Sequence, residues 1–262
     1  MKRNDPRAMR IDPDPDGARR RAARARLGLD PETGEPRRRG ILGWLMRGVL
    51  LFAIASIALV GLLRSLDPPL SAFMLGEWLT ARRADDSTFV LAREWRPLGA
   101  ISPLLAQAVI AAEDQNFLRH HGFDFAAIRA ALATREAGEP LRGASTISQQ
   151  VAKNLFLWRG RHWFRKALEA WFTVWIEVLW PKSRILEVYL NLAQFGRGLY
   201  GAEAGSRQWF GHSARDLTAP EAALLASALP NPIVHRVDAP SPTMRRRQAW
   251  ILAQMPRVAV PR

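Results

Sequence analysis

The chain has 262 residues, enough for one ordinary domain and an appendage, since domains usually run to about 100–200 residues. Hydrophobic residues make up 48% and charged residues 24%, which excludes a wholly disordered chain, and the lack of cysteine excludes disulfides, zinc–thiolate or iron–sulfur sites and a cysteine nucleophile. With 38 Lys+Arg against 24 Asp+Glu the formal net charge is +14, which predicts an anionic partner: nucleic acid, phospholipid headgroups or a phosphorylated substrate.

Residues 1–40 form a polar Arg/Pro/Asp/Gly-rich tail with 12 Lys/Arg and 7 Asp/Glu, expected to be disordered. Ile41–Leu63 then runs for 23 residues with one charge, Arg47, near its start. At 1.5 Å per residue such a helix is about 34 Å long, enough to cross a bilayer. Residues 41–64 are therefore expected to be a single membrane span. A cleaved signal peptide fits less well, because its apolar stretch is shorter and "RSLDPPL" offers no small-residue cleavage site. Arg37, Arg38 and Arg39 abut the N-terminal flank, so the positive-inside rule puts the tail in the cytoplasm and residues 65–262 on the other side. There the positive charge of the folded part suits a membrane surface or a phosphate-bearing lipid, not nucleic acid.

Beyond the span helical signals dominate and strand alternation is scarce. Ser102-Pro103 opens a helix to about Ala112, and Asp124 caps another to about Glu136. Thr146 with Gln149 makes a capping box for a helix to about Leu157. Trp163–Leu179 is long and aromatic, ended by Pro181; Ser183–Leu192 and Tyr200–Phe210 follow, the latter stopped by Gly211. Thr218 with Glu221 caps a helix to about Leu229, and Ser241-Pro242 starts the last. The expected fold class is all-α.

Three segments carry candidate chemistry. The first apolar helix ends in adjacent carboxylates, Glu113 and Asp114, at the helix end where the dipole disfavours them. A glutamate among Ala, Ile and Phe has its pKa raised, which suits a general acid or base; a solvated helix end is the plain alternative. In "LRGASTISQQVAKNLFL" the residues Gln149, Gln150, Lys153 and Asn154 form a polar helix face. Gly143, Ser145 and Thr146 at its N-terminus suit an anion. In "RHWFRKALEAWFTVWIEVLW" Trp163, Phe164, Leu168, Trp171, Phe172, Trp175, Ile176 and Leu179 read as a core stripe. Lys166, Glu169, Thr173 and Glu177 share the minority face. A Lys166–Glu169 pair that was only a surface ion pair would contribute at most about 1 kcal/mol. Only four of the 38 basic residues are lysine, and Lys153, Lys166 and Lys182 all fall in or beside these segments. That bias points to sites where a compact ammonium meets a phosphate oxygen.

The motifs "EDxxFxxHxGxD" (113–124), "GASTISQQxxKN" (143–154), "RKxxE" with "PKxxILExYLN" (165–191), "YGxxxGSxxWFG" (200–211) and "LTxxEAALLAxxLPNP" (217–232) occur in order. Together they make the chain resemble the peptidoglycan glycosyltransferase family over roughly residues 90–235. Ala144 stands where the family usually has Gly, and Ser148 where it usually has Thr. The chain ends thirty residues after Pro232, which implies a monofunctional member without the transpeptidase domain of bifunctional penicillin-binding proteins.

The resemblance implies a lysozyme-like helical glycosyltransferase domain with a membrane-associating part at about residues 66–90. It implies polymerisation of lipid II into a growing glycan chain, β-1,4 bonds forming with inversion as undecaprenyl pyrophosphate leaves, in the inner membrane of a bacterium. Carried over by motif, Glu113 is the catalytic base and Glu169 the second catalytic carboxylate. Asp114, Phe117, Ser145, Thr146, Gln150, Lys153, Asn154, Arg165 and Lys166 are the substrate-binding residues. No protein metal site is expected, though a divalent cation such as Mg2+ is a conceivable companion of the pyrophosphate. Cell-division or cell-wall synthesis proteins are the expected protein partners. In inverting glycosidases the two carboxyls stand about 6.5–9.5 Å apart, so Glu113 and Glu169 are not expected to hydrogen-bond each other. A lysozyme-like lytic transglycosylase and a membrane-anchored lipid-binding scaffold are the two rival readings.

Overall fold

The computed structural model describes residues 14–34, 38–136, 145–160 and 162–261. They divide into two compact units, one ending at Ser56 and one beginning at Ile57. In the first unit Pro15–Arg26, inside the tail expected to be disordered, is a helix (α1). The cause is local. The Asp14 carboxylate accepts the Gly17 N–H at 2.7 Å, Pro15 stands at the first helical position, and Ala and Arg are strong helix formers. Helix α2, Arg38–Leu63, contains the expected apolar span, and Trp44, Leu50, Leu51 and Ile54 lie exposed along it. It is the one helix among the described residues long and apolar enough to cross a membrane.

In the second unit the last carbonyls of α2, orphaned at a helix C-terminus, find donors. Trp180 Nε1 donates to Val60 O at 2.7 Å, and Arg184 Nη2 donates to Leu63 O at 3.1 Å and, just beyond the helix, to Leu66 O at 2.7 Å. Helix α3, Ala72–Arg83, has no counterpart in the sequence reading, although Ser71 caps it by accepting the Met74 N–H. The helices α4 (Pro103–Glu113), α5 (Phe125–Glu136), α6 (Ile147–Phe156), α7 (Trp163–Leu179) and α8 (Lys182–Leu192) lie where capping and periodicity put them. So do α9 (Ala202–Phe210), α10 (Ala219–Ala228) and α11 (Pro242–Gln254). Both capping boxes form, at Thr146 and at Thr218.

The all-α class stands, with one small addition. The strands β1 (Ala92–Arg93), β2 (Gln194–Gly196) and β3 (Leu199–Tyr200) form a sheet of order β1-β3-β2, β3 running parallel to β1 and antiparallel to β2. Tyr200 thus belongs to a strand and not to α9. Gly201, at φ +88°, turns the chain between them, and its missing Cβ clears Asn191 O.

Two packed layers position the site. Helix α4 packs on α10 and α11 through Leu105, Val109 and Ile110, and α6 packs on α7 and α8 through Ile147, Val151 and Leu155. The expected core stripe of α7 holds along most of the helix, with Leu168, Trp171, Trp175 and Leu179 packed partly buried against the core, but not at its start. Phe172 and Ile176 are buried, but Trp163 and Phe164 of the supposed core stripe are 83% and 53% exposed. Glu169 and Thr173 of the polar line are 2% and 0% exposed. The polar line faces inward because each of its carboxylates meets cations there: Arg165 and Lys166 on Glu169, and Lys182 on Glu177.

Gly122, at φ +91°, holds the loop after α4 against α7, where an added Cβ would lie 2.8 Å from Thr173 Cγ2 and 3.0 Å from Glu177 Cγ. Gly122→Ala is therefore expected to cost about 1–3 kcal/mol from the left-handed backbone alone, plus the steric term. A thermal melt of the full chain reads this as a clear fall in Tm, and an unchanged Tm rules the packing argument out.

Candidate active site

Glu113 is the last residue of α4, so its side chain leaves the apolar α4–α10–α11 layer at the edge of the α6–α8 layer. Both carboxylate oxygens are engaged. Gln150 Nε2 donates to Oε2 at 2.9 Å and Arg247 Nη2 donates to Oε1 at 3.0 Å. The Tyr189 hydroxyl donates to Gln150 Oε1 at 3.3 Å, which sets which way the amide faces. Burial, with the charges of Glu113 and Asp114 added, pushes the Tyr189 phenol well above its ordinary value, so it stays a neutral donor. Burial also raises the Glu113 carboxyl, against the opposing pull of Gln150, Arg247 and Lys153.

Asp114 does different work from its neighbour. It is buried, its Oδ2 accepts the Ile147 N–H at 2.9 Å, and His120 Nε2 lies 2.9 Å from Oδ1. His120 Nδ1 in turn accepts the Gly122 N–H at 3.1 Å, and Thr146 Oγ1 donates to Gly122 O at 2.7 Å. This chain of bonds ties the start of α6 to the end of α4. It thereby holds Gln150 beside Glu113.

One turn further along α6 stands Lys153. Its ammonium is pushed below its ordinary value by burial, while Glu169 and Glu113 favour its charge and Arg165 and Lys166 oppose it. Lys153 therefore lies within electrostatic reach of both candidate carboxylates and both candidate cations. On α7, Glu169 accepts from Arg165 Nη1 at 2.9 Å and from Lys166 Nζ at 2.5 Å. Arg165 Nε is anchored on Gly160 O at 2.8 Å. Glu113 and Glu169 thus each have other partners.

Gln150, Lys153 and Asn154 line a cavity of about 270 Å³ with Phe73, Arg159, Tyr189 and Asn231. Asn154 Oδ1 is buried there with no donor among the described residues, an acceptor open to a ligand hydroxyl or amide. Arg159 donates to Gln194 Oε1 at 2.9 Å and to the Tyr200 hydroxyl at 3.3 Å, and the latter bonds Glu77 of α3. That link joins α3 to the mouth of the cavity.

The structure thus gathers Glu113, Gln150, Lys153, Asn154, Arg165, Lys166 and Glu169. It does not bring every expected residue with them. Phe117 is fully buried under Lys182, whose ammonium lies 4.5 Å from the ring centroid. The Thr146 hydroxyl is committed to Gly122 and the capping box, and Ser145 is exposed at the start of α6. Gly143 and Ala144 lie outside the described residues. Ser148 is wholly buried and donates to Glu177. Among the described residues no three carboxylate, imidazole or thiol groups converge as a metal cradle. Lys153, Arg165 and Lys166 are cations, a donor set that does not fit a protein-held divalent ion.

Sequence reading missed Tyr189, Arg159 and Arg247. Tyr189 lies inside a quoted motif without marking itself as more than a core tyrosine. Arg247 is the third arginine of "RRR" on α11, and only the fold shows which one turns toward Glu113.

The model of the Transglycosylase family matches residues 84–256. A biosynthetic peptidoglycan transglycosylase of Xanthomonas campestris pv. campestris (strain B100) is 50% identical over 229 residues, 87% of this chain and 93% of its own. One from Stutzerimonas stutzeri (strain A1501) is 53% identical over 208 residues, 79% of this chain and 86% of its own. One from Shewanella oneidensis is 49% identical over 215 residues, 82% of this chain and 91% of its own.

Proposed function

The chain belongs to the transglycosylase family, and we propose that it builds peptidoglycan glycan strands from lipid II, without cross-linking them. The observation that carries this reading is Lys153, buried between a glutamate with a raised pKa and a Glu169 flanked by Arg165 and Lys166. A hydrolase needs the carboxylates alone. A site that releases a diphosphate also needs cations, and here three cluster around Glu169.

The step is a direct displacement. The 4-hydroxyl oxygen of the acceptor sugar attacks the anomeric carbon of the donor while Glu113 takes the hydroxyl proton. The bond from that carbon to the diphosphate oxygen breaks, turning an α-linked donor into a β-1,4 product. Lys153, Arg165 and Lys166 receive the charge that develops on the leaving diphosphate, and Glu169 keeps the last two in place. Asn154 and Gln150 bind sugar or phosphate polar groups from the cavity wall, and Asp114 orients Glu113 and α6. Ser145 offers its exposed hydroxyl to the donor at the start of α6, whereas Thr146 is committed to Gly122 and Phe117 is buried under Lys182, so these two support the site from behind.

Helix α2 anchors the enzyme in the inner membrane, its N-terminus cytoplasmic, and residues 65–262 work in the periplasm. Leu70, Leu75, Trp78 and Leu79 are exposed on and before α3, which suits the membrane-associating role of residues 66–90. Labelled lipid II with full-length protein in detergent should yield a ladder of glycan chains on a gel. Release of soluble muropeptides from isolated sacculi, with no ladder, would favour the lytic reading. Since the chain has no cysteine, single cysteines at Glu32 and Asp216 also test topology. Only the second should react with an impermeant maleimide from the periplasm, and labelling of the first reverses the orientation.

A further inference from the structure

The α11 helix carries none of the quoted motifs, yet it sends one side chain to the candidate base. Arg247 Nη2 lies 3.0 Å from Glu113 Oε1 and 3.3 Å from Ala112 O, so one guanidinium nitrogen grips the last turn of α4 and its terminal carboxylate together. Its Nε is buried with no partner among the described residues, which leaves Glu113 as the carboxylate that balances this charge. The groups facing Glu113 from the packed elements are Gln150 and Lys153 on α6, Tyr189 on α8, Asp114 beside it and Arg247 on α11. Of the two cations, Arg247 is the one in hydrogen-bond contact. Lys153 is turned toward the cavity and toward Glu169.

We propose that Arg247 is a positioning residue that holds Glu113 in its ionised form, with Oε1 fixed and the carboxylate ready to receive a proton. The proposal rests on Glu113 being the base. Burial drives that carboxyl toward its neutral form, in which it accepts no proton, and a cation at hydrogen-bond distance opposes the drift. Arg247 does this without entering the cavity. It therefore tunes the base and leaves substrate affinity alone.

The test is the pH dependence of glycan polymerisation by full-length protein, with Arg247→Met, Arg247→Gln and Arg247→Lys beside the parent. Met preserves the apolar stem that packs between α11 and α4, and Gln can still donate to Ala112 O or to Glu113. Both neutral variants should move the acid limb of kcat upward by about one to three pH units, with KM for lipid II unchanged. Arg247→Lys keeps the charge, so its acid limb stays near the parent's while its rate falls at every pH. A purely structural arginine behaves differently. Uniform loss across pH in a folded neutral variant, with the limb in place, overturns the proposal. So does a folded Lys variant whose limb rises by about one to three pH units above the parent's, a result that remains readable if the neutral variants fail to fold. Failure of the underlying reading looks different again: Glu113→Gln would then retain chain growth whatever stands at position 247.

Discussion

Glu113→Gln is expected to lower polymerisation of labelled lipid II by about 10²–10⁴-fold, the usual range for loss of a positioned base, while leaving the fold intact. Glutamine has the size and shape of the carboxyl it replaces. Its oxygen still accepts from Arg247, and the Gln150 amide can reorient to meet its nitrogen. Stability should hold or rise at neutral pH, and the sign follows from linkage. A carboxyl whose folded pKa is raised supports folding fully below its unfolded pKa and loses that contribution as pH rises through the folded value. The neutral variant is spared that loss, so a melt at pH 7 should show a Tm equal to or above the parent's. Activity in the parent falls as pH drops through a value above the ordinary 4.5, because a protonated Glu113 accepts nothing. Substantial chain growth by a folded Gln variant removes Glu113 from the role.

The sequence made much of this site legible because its parts are local. Ser102-Pro103, the Thr146 and Thr218 capping boxes and Gly211 are short-range signals, and the helices they bound lie where they indicate. Glu113 announces itself by standing where the helix dipole opposes it, and Lys153 by being a lysine in an arginine-rich chain. What stayed hidden depends on long-range packing. Arg247 reaches Glu113 across 134 positions, and nothing in "RRR" distinguishes one arginine from the next. The three strands hold two or three residues each, too few to alternate visibly, and β1 pairs with β3 across more than a hundred positions.

Helix α7 shows how a strong local signal can be incomplete. Its five aromatic residues share one stripe with Leu168, Ile176 and Leu179, so periodicity assigns them to the core. The fold does pack most of that stripe on the core, but it buries Glu169 and Thr173 as well, while Trp163 and Phe164 at the start stay exposed. Hydrophobic counting cannot foresee this, because the buried face is made acceptable by charge pairing: Glu169 with Arg165 and Lys166, Glu177 with Lys182 and the Ser148 hydroxyl. The same pairing makes the site chemically useful. Removing one partner from such a cluster leaves a buried charge uncompensated, and that is why the lysines there are not interchangeable with surface residues.

Lys153→Met is the second large effect, a loss of about 10²–10³ in rate if the ammonium stabilises the departing diphosphate. The charge-preserving variant is more informative. Burial pushes the Lys153 ammonium below its ordinary 10.5, so in the parent it sheds its proton as pH rises through that lowered value, and activity falls on the alkaline side. Arginine stays charged throughout that range, so Lys153→Arg should lose the alkaline limb. Its rate at the optimum should also drop, because a broad planar guanidinium replaces a compact ammonium seated 5.7 Å from the Phe73 ring centroid beside Asn154. A stopped-flow or gel-based rate profile from pH 6 to pH 11 on both variants and the parent reads all of this. An alkaline limb that persists unchanged in the Arg variant belongs to some other group, and full activity in both Lys153→Arg and Lys166→Arg defeats the argument that these positions require an ammonium. Loss of the limb with reduced rate leaves one account standing, in which Glu113 below and Lys153 above bound the pH window where base and leaving-group acceptor are charged together.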